Sequence, residues 1–248
     1  MASMGEIWEL YSRGLTWAGL PAVETTDQQE PAPMKNVLVT GFDPFGKETI
    51  NPSALAAQAL DGRRIAGRRV VGRVMPCVFG ESLTMLRQEI RRIQPELVIC
   101  AGLGGGRAGI CMERVAINLE DASIPDNAGY QPVDRPVVPG GPAAYFSTLP
   151  IKAVVAALRA ADLPGMISHS AGTFVCNHVF YGLMRTLART GKVRGGFIHV
   201  PHLPEQARRI ADGSPSLPLD EMVRGLEIAV ETSLTTRCDL RAGGSATC

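Results

Sequence analysis

The side chains in this chain best suited to covalent chemistry are its thiols, imidazoles and a few carboxylates. Six cysteines are present (Cys77, Cys100, Cys111, Cys176, Cys238 and Cys248) against four histidines (His169, His178, His199 and His202). A nucleophilic thiol needs an imidazole to take its proton and later return it to a leaving group, and a buried carboxylate to orient that imidazole. Cys176 lies in SAGTFVCNH (170–178), where small residues lead into a helix. It falls in the first turn, where unpaired N–H groups and the positive dipole end favour a thiolate. A lone cysteine in an apolar stretch is nevertheless more often a buried, inert thiol. Cys77 and Cys100, both inside apolar strand-like runs, fit that description.

His178 is a poor partner for Cys176, because side chains two residues apart on a helix do not face each other. His199 shares a strand face with Phe197 in GGFIHVP (195–201), and a strand end projects into a site loop. By itself a strand histidine is more often a core or surface residue. His199-x-x-His202 has no third ligand at a suitable spacing, so no metal is expected. Glu113 opens the segment ERVAIN and precedes a β-prone run, which suits a carboxylate carried on the sheet and equally an ordinary surface acid. Glu120 and Asp121 read as an exposed strand end, and Asp126-Asn127 as a turn. The turn GLGGGR (102–107) can offer backbone N–H groups to an anion, but it matches no phosphate-loop pattern. Its other reading is a Cβ-free turn that lets backbone approach a ligand or a neighbouring strand.

These residues must be positioned by alternating strands and helices. Short apolar runs predict strands over 36–40, 69–78, 96–101 and 197–200, with a further β-prone segment over 114–119. Helical spacing predicts helices over 81–93, 152–161, 174–188 and 220–234, and Asn51-Pro52 marks another helix start. The fold class expected is α/β: a single-domain three-layer α/β/α sandwich with a twisted mixed sheet and its site in loops at strand ends. Residues 1–33, which run into PAVETTDQQEPAP, read as an N-terminal extension, either an upstream-start artefact or a short helix before a linker. The catalytic domain is then 34–248.

Composition narrows the function classes. With 25 Lys+Arg against 24 Asp+Glu, the net charge of +1 gives no electrostatic reason to expect nucleic acid or an anionic membrane as partner. The hydrophobic share of 45% is that of a globular chain. No run reaches the ~18–20 apolar residues of a membrane span. The N-terminus lacks a signal-peptide pattern, and scattered cysteines without a C-x-x-C pair read as reduced thiols, so a cytoplasmic protein is expected.

Taken together, VTGFDPFGKETINPS (39–53), GGGR with ERVAIN, IPDNAGYQP (124–132), GTFVCNH with VFYGLM, and GGFIHVPHLPEQ (195–206) resemble type I pyroglutamyl peptidases. GGPAAYFSTLPIK (140–152) also fits. The resemblance implies a cysteine peptidase that removes N-terminal pyroglutamate from peptides through a thioacyl-enzyme, without metal or organic cofactor. It also implies a cytoplasmic homotetramer. On this sequence the family's nucleophile falls on Cys176, its general base and acid on His199, and its third member on Glu113. The phenylalanines that sandwich the lactam fall on Phe45 and Phe174, with Phe42 and Asn51 in support.

Two departures stand out. Leu103 replaces a glutamine and Ser123 an arginine of the family's usual pattern. An active enzyme is expected, because the triad and both phenylalanines are intact. The alternative is a catalytically impaired homologue that binds pyroglutamyl peptides. Phosphorolysis at the glycine-rich turn is disfavoured, since only Arg107 and Arg114 stand near it.

Overall fold

The computed structural model describes residues 35–210, 215–241 and 243, so the anticipated N-terminal extension lies outside the described residues. Strands that are apolar along most of their length must be covered on both faces, and the two central strands here follow that rule. β1 (Asn36–Phe42) and β4 (Leu97–Leu103) pair in parallel at the centre of the sheet. β3 (Arg68–Met75) extends the sheet from β1, and β2 (Arg64–Ile65) turns back antiparallel on β3. On the other side β9 (Arg194–Val200) is parallel to β4. β5 (Ile110–Glu113) runs antiparallel to β9 and parallel to β8 (Gly165–Ser168). The seven-stranded order is β2-β3-β1-β4-β9-β5-β8, and β6 (Val115–Ile117) with β7 (Ala144–Phe146) forms a separate ribbon.

Two cores cover this mixed sheet. α1 (Pro52–Leu60), α3 (Ile151–Ala160) and α6 (Leu219–Thr235) pack on one face, while α2 (Glu81–Ile93) and α4 (Val175–Ala188) pack on the other. A short α5 (Pro204–Ala207) follows β9. The three-layer α/β/α expectation therefore holds. Strand side chains alternate between faces, which fixes where the polar residues point. Ile198 and Val200 of β9 enter the first core and Phe197 the second, so His199 faces α4. Ile110 and Met112 of β5 likewise enter the first core, which turns Cys111 and Glu113 towards α4.

The helix expected over 81–93 coincides with α2, while several strands differ from expectation. The strand expected over 69–78 stops at Met75 because Pro76 has no N–H to donate to the ladder. Cys77 therefore lies beyond the strand, not inside it, and is buried there. The β-prone segment 114–119 leaves the main sheet as β6. Glu113 precedes β6, as expected, and also ends β5, a strand too short for periodicity to reveal. Glu120, expected at an exposed strand end, is buried because His178 reaches it. Cys77 and Cys100 fit inert thiols, since burial pushes both up to about 12, with Asp43 and Asp126 adding to the effect at Cys77.

Asn51 caps α1 as anticipated: its Oδ1 accepts from Ser53 N at 3.1 Å, and Pro52 occupies the first helical position. The same turn lies against the end of β1, where a Cβ on Gly41 would stand 2.1 Å from the Ser53 carbonyl oxygen. That clash is with backbone at the root of the 43–50 loop. Gly41→Ala should therefore destabilise the fold by about 1–3 kcal/mol, read as a lower urea midpoint. An unchanged midpoint would mean that α1 can retreat without penalty.

Candidate active site

The glycine-rich turn after β4 forms a wall of the site. A Cβ on Gly102 would meet Cys176 Sγ and the Phe197 ring, each at 2.9 Å. A Cβ on Gly104 would stand 3.0 Å from His199 Cβ and 2.9 Å from Arg107 Cγ. Gly106 has φ +78°, a conformation that favours glycine. Of the two readings of this turn, the structure matches the close-approach one: it lets a thiol, an imidazole and a guanidinium crowd against bare backbone.

Neighbouring strands lie about 4.8 Å apart, and the register uses that spacing to assemble three polar groups. Gly102 pairs with His199 across β4 and β9, so the thiol over Gly102 sits beside the imidazole strand. His199 in turn pairs with Cys111 on β5, two residues before Glu113. Glu113 Oε1 lies 2.7 Å from His199 Nδ1, and Glu113 is fully buried. A carboxylate there accepts from Nδ1–H, which leaves Nε2 as the basic nitrogen. Phe197 packs on the His199 ring with centroids 4.9 Å apart.

Arg107 completes the cluster. Its Nη2 lies 3.2 Å from Glu113 Oε1, while Nη1 donates to Ser168 Oγ at 2.8 Å and Nη2 to the Ser170 carbonyl at 3.0 Å. These bonds commit the guanidinium to Glu113, Ser168 and Ser170 and not to an anion at the turn. Sequence reasoning noticed Arg107 only as a possible phosphate partner; its place directly after the glycines was the available signal.

Cys176 sits in the first turn of α4, as anticipated, and is half-buried there, but its surroundings act against a thiolate. Burial pushes it well above the ordinary thiol value, with Cys77 and Glu113 adding to the effect and Arg107 opposing it. The N-cap, Phe174, offers no side-chain hydrogen bond to the first-turn N–H groups. Those donors lie beside the Cys176 thiol.

The four residues expected to hold substrate fall into two pairs. Phe45 and Phe174 are both half-buried and meet with ring centroids 5.8 Å apart. Phe79 joins them, 5.4 Å from Phe174 and perpendicular to it, an aromatic that sequence reasoning did not single out. Phe42 lies in the core beneath, its ring 6.3 Å from Phe197. The Asn51 side chain is spent on Ser53 and on the Asp43 carbonyl, which anchors the loop bearing Phe45. His178 points away from Cys176. Its Nδ1 lies 2.6 Å from Glu120 Oε1, and its Nε2 accepts from Gly80 N at 3.0 Å, fixing the residue after Phe79.

Comparisons with known proteins identify the family. The pyroglutamyl peptidase family model matches residues 35–236. The chain belongs to that family. It is an enzyme, a peptidase of the cysteine type. A pyrrolidone-carboxylate peptidase of Cupriavidus taiwanensis is 56% identical over 213 residues, covering 85% of this chain and 98% of the relative. That of Escherichia fergusonii is 54% identical over 214 residues, covering 86% and 100%. The crystal structure of pyroglutamyl peptidase I from Bacillus amyloliquefaciens superposes with a TM-score of 0.82 at 47% identity, covering 85% of this chain and 100% of that one.

Of this peptidase's two departures, Leu103 is a buried strand residue paired with Val200, and Ser123 is exposed. Its thiol supplies a pH test. Because the Cys176 pKa is raised, the thiolate fraction should keep growing as pH rises to the ordinary thiol value of 9.0 and beyond. Alkylation of Cys176 by iodoacetamide should therefore accelerate through that range without levelling. A plateau reached near neutrality would mean that an ion pair with His199 outweighs burial.

Proposed function

We propose that this chain hydrolyses the bond following an N-terminal pyroglutamyl residue, with Cys176 as nucleophile, His199 as general base and acid, and Glu113 as the group that orients His199. The observation that carries the reading is the 2.7 Å His199–Glu113 contact on strands whose register sets Cys176 over the residue paired with His199. The Cys176 S–H proton passes to His199 Nε2 as sulfur attacks the pyroglutamyl carbonyl carbon. The C–N bond then breaks, the amine leaves with the proton from His199, and a thioester remains on Cys176. Water, deprotonated by His199, attacks the thioester and releases pyroglutamate and the free thiol.

The substrate class is peptides with N-terminal pyroglutamate. The lactam is small and uncharged, so ring faces and a few backbone hydrogen bonds suit it better than a charged clamp. Phe45 and Phe174 supply the faces, while Phe42 and Asn51 support the floor and the loop root. A ring held between two others needs about 7 Å, two van der Waals contacts of about 3.5 Å, whereas these centroids are 5.8 Å apart. The lactam therefore enters by parting the two rings, and Phe45, carried on a loop, is the one that yields.

The impaired-binder alternative has less support. Leu103 is accommodated in the sheet, and Ser123 contributes nothing to the His199–Glu113–Arg107 cluster. A cytoplasmic homo-oligomer, a tetramer by family resemblance, belongs to the same reading. No described helix is long and apolar enough to cross a membrane. The deciding assay follows release of a fluorescent amine from a pyroglutamyl amide. Many turnovers are expected from the wild type, none from Cys176→Ser and none on the proline amide. A single burst equal to the enzyme present would overturn the reading. Phe45→Ala should raise KM on the same substrate more than it lowers kcat; an unchanged KM would remove Phe45 from the lactam site.

A further inference from the structure

A second cavity opens on the α2/α4 face, far along α4 from Cys176. It has a volume of about 530 Å³ and lies between the C-terminal ends of α2 and α4. Arg87 and Arg91 of α2 line it, with Arg185 of α4 and Arg189 just beyond that helix. Arg87 and Arg185 are half-buried, Arg91 and Arg189 exposed. Among the described residues no carboxylate pairs with any of the four. Glu89, the nearest acid in sequence, is held by Arg73 at 2.8 Å and by Arg92 at 2.5 Å.

Arginines at a helix C-terminus usually answer the negative end of its dipole, and that accounts for part of this cluster. Each helix end contributes roughly −0.5 of a charge, so two ends leave about three of four positive charges uncompensated. The concentration is local, since the whole chain carries only +1. Burial, then Arg185 and Arg91, pull Arg87 below the usual arginine range. Like charges gathered in one concavity without a partner destabilise the fold unless an anion joins them.

We propose that this cavity is a binding site for a small polyphosphate-bearing anion. Guanidinium groups bind phosphate oxygens in bidentate fashion, and the volume is within the usual range for a small-molecule site. Ile90, Leu187 and Val193 supply an apolar wall, so a polyphosphate carrying a heterocycle fits as well as a bare one. A second copy of the chain is a poorer occupant, because a two-fold contact here would set arginines against arginines.

The test is calorimetric titration of the full chain with tripolyphosphate and, separately, with ATP, in buffer of about 0.15 M salt where surface charge is screened beyond about 8 Å. Saturable binding at one site per chain is expected, weakened at least tenfold in Arg87→Ala/Arg185→Ala. ATP binding more tightly than tripolyphosphate would assign the apolar wall to the heterocycle; equal affinity would assign the site to polyphosphate alone. Thermal melting of the unliganded variant reports its folding independently of peptidase activity. If that variant does not fold, Arg91→Ala/Arg189→Ala, which alters only exposed side chains, gives the same comparison. No saturable heat, an equal response to sulfate, or affinity unchanged in a folded variant would overturn the proposal.

Discussion

A carboxylate with no exposed surface governs the arrangement around it. Removing a charge from water costs several kcal/mol even after relaxation, so Glu113 at the end of β5 is tolerated only with close partners. Both lie at one oxygen: His199 and Arg107 meet Oε1, while Oε2 has no hydrogen-bond partner among the described residues. The imidazole and the guanidinium are therefore tied to each other through a single atom. Arg107 extends the tie to Ser168 at the end of β8 and to the Ser170 carbonyl, at the start of the segment that leads into Cys176. The sheet order β4-β9-β5-β8 brings these groups together: it places the turn, the imidazole, the carboxylate and the serine on four successive strands.

The second constraint is room. Cys176 Sγ, the Phe197 ring and His199 all press on positions where β4 and its turn have no side chain. An alanine at Gly102 would occupy the space of the Cys176 thiol and press on Phe197, a buried core residue. The 43–50 loop is secured in a comparable way from several sides. Asn51 holds the Asp43 carbonyl, Asn127 donates to the Pro44 carbonyl at 2.8 Å, and Gln206 donates to Glu48 at 2.6 Å. Its ends are fixed while the Phe45 ring between them remains half-buried, as the proposed parting of the two rings requires.

How far these features were legible in the sequence depended on whether local chemistry or register decided them. The helix over 81–93 and the cap at Asn51-Pro52 were visible because period and capping are local properties. The types of the triad residues were visible too, but their convergence was not. Nothing along the chain says that β5 inserts antiparallel beside β9, and without that pairing Glu113 reads as a surface acid. Resemblance supplied what periodicity could not. Glu120 was misread for the same reason: its burial depends on His178, an interaction between distant segments. Phe79 drew no notice because one aromatic before a glycine carries no pattern; only folding brings it edge-on to Phe174.

Phe174 shows how one residue can serve both the helix and the chemistry. A serine, threonine or aspartate at the N-cap would place an oxygen on the first-turn N–H groups and stabilise α4 by about 1 kcal/mol. It would also compete for the donors an oxyanion needs. Phenylalanine leaves them unclaimed and turns an apolar face to Phe45 and Phe79. Burial likewise acts against the Cys176 thiolate, although the side chain is only half-buried. In the reaction proposed above, fixed dipoles in a desolvated setting act more strongly on a developing charge than they would in water, so the surroundings that disfavour charge on the resting thiol would favour it on the substrate. A capped helix and a fully exposed thiol would make the resting protein more stable and the thiol more ionised, and would give that stabilisation up.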